Sequence, residues 1–188
     1  MKNMEFRSKT IHFRLVEVTD AQFIHSLRTN EKYNSHLSTI DDDETKQVEW
    51  IINYKERERL NKEYYFIIQR NSDHLPIGTV RLYDFIDNEQ SFCWGSWILN
   101  ENKSKYAALE SAILIYDFAF FELGFIRCHM DIRKENLRVI DFHKRFGVKI
   151  IGETDADILG HYFVEDYLKI RESIKKIIEN LEDLPNHD

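Results

Sequence analysis

The chain is poor in residues that bend, break or crosslink a backbone. It holds six glycines, two prolines and two cysteines in 188 residues. Glycine at about 3% is under half its usual share of roughly 7%. That excludes collagen, turn-rich repeats and flexible linkers, and it argues against a phosphate loop built on glycine. Cys93 and Cys128 are too few for a disulfide scaffold and point to a reducing compartment. No histidines stand at a spacing that would complete a zinc site with them. Positive charge is also short. The 26 basic against 33 acidic residues give a net charge of −7, which argues against a general nucleic-acid binder. No apolar run approaches the roughly 18 residues of a membrane span, and residues 1–9 lack the apolar core of a signal peptide. The expectation is a cytoplasmic protein with no nucleic-acid, membrane or metal partner.

What is present suits one folded domain over residues 1–188. Apolar residues make up 43% and charged residues 31%, enough for a sizeable core. Residues 11–18 alternate and predict a strand. Asp20 predicts a helix N-cap, with the helix running to Leu27. Residues 29–42 predict a loop with one helical turn. The acidic run Asp41-Asp42-Asp43-Glu44 suits a helix start, and that helix should reach about Leu60 with Val48, Ile51 and Ile52 inward. Residues 64–69, 77–86 and 91–99 predict an antiparallel meander. Residues 106–123 predict a long helix closed by Gly124, with Ala108, Ala112, Ile115 and Ala119 on one face. A strand over 125–132, a helix over 135–145 ended by Gly147, and strands over 148–152 and 162–170 follow. A last helix over about 170–182 carries Ile170, Ile174, Ile177, Ile178 and Leu181 on one stripe. It should pack on the domain or on a second subunit, which would make a homodimer. The tail from Pro185 to Asp188 should fray. The fold class is α+β in α/β/α layers, around a mixed, mostly antiparallel sheet of about seven strands.

Nucleophile elbows, Walker loops, dinucleotide fingerprints and zinc motifs are lacking. The informative stretch is 93–148. It holds Cys93-Trp94-Gly95-Ser96-Trp97-Ile98, then Lys103-Ser104-Lys105-Tyr106-Ala107-Ala108-Leu109-Glu110. The helix end Phe120-Phe121-Glu122-Leu123-Gly124-Phe125 follows, then Asn136, then Phe142-His143-Lys144-Arg145-Phe146-Gly147. This ordered set resembles the Gcn5-related N-acetyltransferases (GNAT family), and the element order fits that family over nearly the whole chain.

The resemblance implies the GNAT acyltransferase fold and acetyl-CoA as co-substrate. It implies that Lys103, Ser104, Lys105, Tyr106 and Ala107 receive the pyrophosphate at a helix N-terminus, where free N–H groups and the helix dipole favour anions. The family's two loop glycines fall here on Ser104 and Tyr106. A Ser104 hydroxyl could partly replace the first, while Tyr106 cannot approach as closely. Backbone N–H groups near Ile98 and Leu99 should polarise the thioester carbonyl. Asn136 should contact the pantetheine arm. His143 stands where the family usually has a tyrosine, and should lie near the sulfur as a general acid with a pKa near neutrality. The family's glutamate base is replaced by Cys93, read as a buried structural thiol, and Tyr83, Asp84 and Glu89 could relay a proton instead.

Leu27-Arg28-Thr29-Asn30-Glu31, Gln47 with Trp50, and Gly78 through Asp84 resemble GNAT enzymes that acetylate nucleotide-linked amino sugars for surface polysaccharides. That likeness implies direct transfer to an amino group in a ternary complex. Arg28 and Arg81 would meet a diphosphate, and Tyr83 or Trp94 would stack on a base or sugar. Each also has a plain structural reading, as a surface ion pair or core packing. Two alternatives stay open. One is an N-terminal acetyltransferase of ribosomal proteins, whose basic tails would suit an acidic surface. The other is a GNAT-fold protein that binds without catalysing.

Overall fold

The computed structural model describes residues 6–38, 40 and 43–180. Asp41, Asp42, Leu181 and the tail from Pro185 lie outside the described residues. Eight strands form one sheet: β1 (Phe6–Arg7), β2 (Ile11–Leu15), β3 (Tyr64–Arg70), β4 (Pro76–Ile86), β5 (Ser91–Leu99), β6 (Arg127–Arg133), β7 (Lys149–Glu153) and β8 (Asp157–Phe163). Their order is β1-β2-β3-β4-β5-β6-β8-β7. Every pairing is antiparallel except β5 with β6. The strand beyond the seven expected is the two-residue β1.

Six helices complete the described chain: α1 (Ala21–Thr29), α2 (Glu31–Asn34), α3 (Glu44–Arg59), α4 (Ala107–Asp117), α5 (Leu137–Phe146) and α6 (Val164–Glu179). They cover both faces of the sheet. β3 shows why. Tyr64, Phe66 and Ile68 join one core with residues of α4 and α5, while Tyr65 and Ile67 join a second with residues of α1 and α3. Alternate strand residues point to opposite faces, and here both faces are dry.

Several local expectations change. Asp20 does not cap α1. Its carboxylate takes two bonds of 2.7 Å from Arg14 and one of 2.8 Å from the Glu17 N–H. Ile52 of α3 is exposed, because the buried face runs through Gln47, Ile51 and Tyr54. α4 ends at Asp117 and continues as a π-helical turn over Phe118–Glu122, in which the Leu123 N–H reaches back five residues to Phe118. Residues 164–170 are helical rather than extended. β8 stops at Phe163, and Glu165 and Asp166 occupy the first turn of α6, where carboxylates suit the dipole.

α6 packs on this same chain. Tyr167 donates a 2.7 Å hydrogen bond to Asp117 of α4, and Arg171 pairs with the same carboxylate at 2.6 and 3.0 Å. Ile178 is buried there, whereas Ile177 is half exposed.

Candidate active site

β5 and β6 are hydrogen-bonded only where Ser91 faces Arg127 and Phe92 faces Cys128. Beyond these rungs the strands part and a cleft opens. A bulge in β5 shapes it. Arg81 faces Gly95 and Thr79 faces Ile98, so β5 carries one extra residue, and Ser96 takes φ +45°. The Thr79 hydroxyl donates to the Ser96 carbonyl at 2.8 Å and pins the bulge. Gly78 lets the strands close up, since a Cβ there would sit 2.1 Å from the Ile98 carbonyl oxygen.

The Asn100 N–H donates to Ile77 at 2.8 Å. Alternate residues of an antiparallel strand address the same neighbour. Ile98 therefore turns its backbone groups to β4, and Leu99 turns its own to the cleft. Of the two expected carbonyl-polarising groups, only the Leu99 N–H faces the opening.

Two cavities of about 450 and 390 Å³ meet in the cleft and share His36, Leu37, Trp97, Asn136 and Val139. The larger runs between Leu99, the first turn of α4 and α5, and four cations line it: Lys32, Lys103, Arg138 and Arg145. The Tyr33 hydroxyl donates to the Glu101 carboxylate, which fastens α2 to the loop before α4.

That loop only partly matches expectation. The Lys103 N–H donates to Asn100 and the Ala107 N–H to Ser104. The amides of Ser104, Lys105 and Tyr106 find no backbone partner among the described residues, as an anion-binding helix start requires. Lys103 lines the cavity, whereas Ser104, Lys105, Tyr106 and Ala107 do not. The Ser104 hydroxyl turns instead to Thr10, 2.7 Å away, and Thr10 is held by the buried Glu110 carboxylate. The Lys105 ammonium lies 5.2 Å from the centre of the Tyr106 ring. Ala107 is fully buried. The groups left to meet an anion at this helix start are Lys103 and the free amides, not the serine hydroxyl.

Asn136 and His143 both line the smaller cavity. Asn136 is the N-cap of α5, and its side chain accepts from the Val139 N–H at 3.3 Å. His143 packs edge-on against Trp94 at 5.3 Å, and its Nδ1 is buried without a partner. Burial lowers its pKa to about 4. The expected near-neutral acid is thus an uncharged ring at pH 7, because its apolar neighbours disfavour the cation. A neutral imidazole can donate a hydrogen bond, but it holds no spare proton.

Arg28, Arg81, Tyr83 and Trp94 all line the smaller cavity. Their surroundings differ. Trp94 presents only a small part of its ring to the cavity. It is buried among Trp97, Tyr116 and His143. Arg81 lies 2.6 Å from the buried Glu63 carboxylate, with its guanidinium over Trp50 and Tyr83 at 5.1 and 4.6 Å. Arg28 is half-buried. It donates to the Ser38 carbonyl and hydroxyl and has no carboxylate partner among the described residues. Burial lowers its pKa, and the charge of Arg81 adds to that effect against an opposing pull from Tyr65. Cys93 is buried and its thiol is pushed up to about 12, chiefly by burial, so it is no nucleophile. Asp84 pairs with His129 at 3.1 Å and Glu89 with Arg127, and neither lines either of these two cavities.

Sequence reasoning missed His36, Leu37, Trp97 and Asp131. The alternation in β6, with Cys128, Met130 and Ile132 buried, does mark His129, Asp131 and Arg133 as sharing the other face. It does not mark which of them lies beyond the last rung to β5. Among the described residues no cluster of three or more His, Cys, Asp or Glu could hold a metal, and no helix is long and apolar enough to cross a membrane.

Residues 10–149 match the family model of the acetyltransferase (GNAT) domain. A curated relative, the probable N-acetyltransferase YjcK of Bacillus subtilis (strain 168), is 33% identical over 78% of this chain and 90% of its own length. The solved structure of apo FdhC, a nucleotide-linked sugar GNAT, is 46% identical, covers 94% of this chain and 99% of its own, and superposes with a TM-score of 0.87. The ribosomal-protein-S5-alanine acetyltransferase of Vibrio fischeri is similar in fold, with a TM-score of 0.75 at 16% identity, over 88% of this chain and 99% of its own.

Proposed function

The chain belongs to the GNAT acetyltransferase family, and from that premise we propose that it moves the acetyl group of acetyl-CoA onto the amino group of a nucleotide-linked amino sugar. Transfer is direct, with both substrates in the cleft. The observation that carries the acceptor class is Arg28. A half-buried guanidinium with no carboxylate partner is costly unless an anion arrives, and a planar fork suits a phosphate. Arg81, steadied by Glu63 and two rings, adds a second positive group beside it. The likeness to a nucleotide-linked sugar GNAT supports the same reading.

Bound acetyl-CoA supplies an activated thioester. The larger cavity takes its pantetheine arm, with Asn136 and Val139 at the passage to the acceptor side. Lys103 and the amides of residues 104–106 hold the pyrophosphate. The Leu99 N–H donates to the carbonyl oxygen. The neutral His143 donates a hydrogen bond to the departing sulfur and is not its proton source. An ammonium acceptor loses two protons in all. One leaves before attack, and the other ends on the sulfur.

The basic tail of a ribosomal protein suits this cavity less well, because Arg28 and Arg81 repel it. The test is thiol release with a panel of UDP- and TDP-linked amino sugars. At least one should be acetylated, and Arg28→Met should raise its KM about tenfold or more with kcat little changed. Acetylation of basic peptides alone would replace this reading with the N-terminal one.

A further inference from the structure

The charges of the smaller cavity do not all count equally. Its side chains include Arg28, Arg81 and Arg133 on the positive side and Asp131 and Asp157 on the negative. Arg81 is held 2.6 Å from Glu63, a carboxylate it shares with Arg57, so part of the Arg81 charge is left over, and Arg133 is paired with Asp157 at 3.3 Å. Two groups are left without a pair. Arg28 enters from α1 and Asp131 from β6, and neither has an oppositely charged partner among the described residues. Asp131 stands three residues past Cys128, the last rung to β5, so it belongs to the splayed part of the strand.

We propose that Asp131 is the receptor for the acceptor's ammonium group, holding the nitrogen in the cleft and taking its first proton. The inference rests on the proposed function for the acceptor's anionic end, and adds what recognises its other end. An amino sugar on a nucleotide carries a cation and a diphosphate in one molecule, and the cavity offers an unpaired carboxylate for the one and the unpaired guanidinium of Arg28, beside Arg81, for the other. The nitrogen loses a proton to the Asp131 carboxylate, which passes it to solvent because the side chain is exposed. The freed lone pair then forms the C–N bond as the C–S bond breaks. The second nitrogen proton goes to sulfur. One proton is released overall.

Most titratable groups around Asp131 are buried or already paired, and the remaining imidazoles are His36 of the cavity wall and His161 of β8. Tyr83 of β4 and Cys93 of β5 are held protonated by burial, and the negative charge of Asp131 adds to this in both. His129 is bonded to Ser91 at 2.5 Å and to Asp84 at 3.1 Å. His143 is neutral, and His36 lines the cavity from the α2 side.

The test compares wild type with Asp131→Asn and Asp131→Glu on a nucleotide-linked amino sugar, a diamine and a peptide N-terminus. On whichever amine the wild type acetylates, kcat/KM of Asp131→Asn should fall about 100-fold at pH 7, with the KM for acetyl-CoA unchanged. The deficit should shrink towards pH 9.5, as the amine loses its proton in solution, and Asp131→Glu should recover part of the rate. A deficit under about threefold at pH 7, or one that stays constant with pH, overturns the proposal. If the sugar nucleotide is inert and another amine is acetylated, the acceptor reading falls, and Asp131 is judged on that other amine.

Discussion

At pH 7 the ring of His143 is uncharged, since Trp94, Phe142 and the rest of its buried setting leave a cation no partner. In the unfolded chain the same ring protonates near pH 6.5. The folded pKa is depressed, so its contribution to stability is full above pH 6.5 and is lost as pH falls towards 4. The loss is about 3 kcal/mol over that window. Urea unfolding at pH 7 and pH 5 should show about 2 kcal/mol of it, and His143→Gln should flatten the difference. A ring that titrated normally would leave wild type and variant parallel. At this scale the sequence led to the right neighbourhood more often than to the right job. Arg28, Arg81, Tyr83, Asn136 and His143 all meet in one cavity. For Trp94 the sequence left core packing and stacking both open, because an aromatic residue on a strand looks alike from either face, and its contacts with Tyr116 and His143 show how much of the ring the core takes. Asp131 was missed because its value depends on what pairs with its neighbours.

At Gly78 the backbones of β4 and β5 leave no room for a side chain. Gly78→Ala would drive a methyl to 2.1 Å from backbone oxygen, which no side-chain rotation can relieve. We expect a loss of about 3 kcal/mol or more. Ala at Gly124, where nothing lies within 4 Å but φ is +76°, should cost nearer 1 kcal/mol. Thermal melts of the two variants compare these costs directly, and equal shifts would contradict the contact. Elements of this kind were legible where hydrophobic period and punctuation agreed. The meander β3 to β5 and helix α5 with Gly147 stand where the residues place them, within a residue or two, and so does the stretch from α4 to Gly124 once its π-helical turn is included. The β8–α6 boundary was not legible, because residues 162–170 are as aromatic and β-branched as a strand. Helix there is set by the acidic first turn and by Tyr167 reaching Asp117. The π-helical turn after α4 has no sequence mark that we can name.

The molecule as a whole is acidic at −7, yet the larger cavity is lined by Lys32, Lys103, Arg138 and Arg145 with Asp141 alone opposing them. Positive potential is thus focused on the cavity proposed for the polyanionic coenzyme. The affinity for CoA, measured by titration calorimetry, should fall several-fold between about 50 and 500 mM salt as the Debye length shrinks. Lys103→Gln should weaken binding and flatten that slope. No change with salt would place the phosphates away from these groups. The splayed strands have one more consequence. Beyond Phe92 and Cys128 two strands in the middle of an eight-stranded sheet run with bare edges, as exposed as the rims of a sheet. A guest that lays amide groups along such an edge repairs it, completing the ladder the protein leaves open. Occupancy of the cleft then mends the sheet as well as filling a hole, and the enzyme is most fully folded while it is at work.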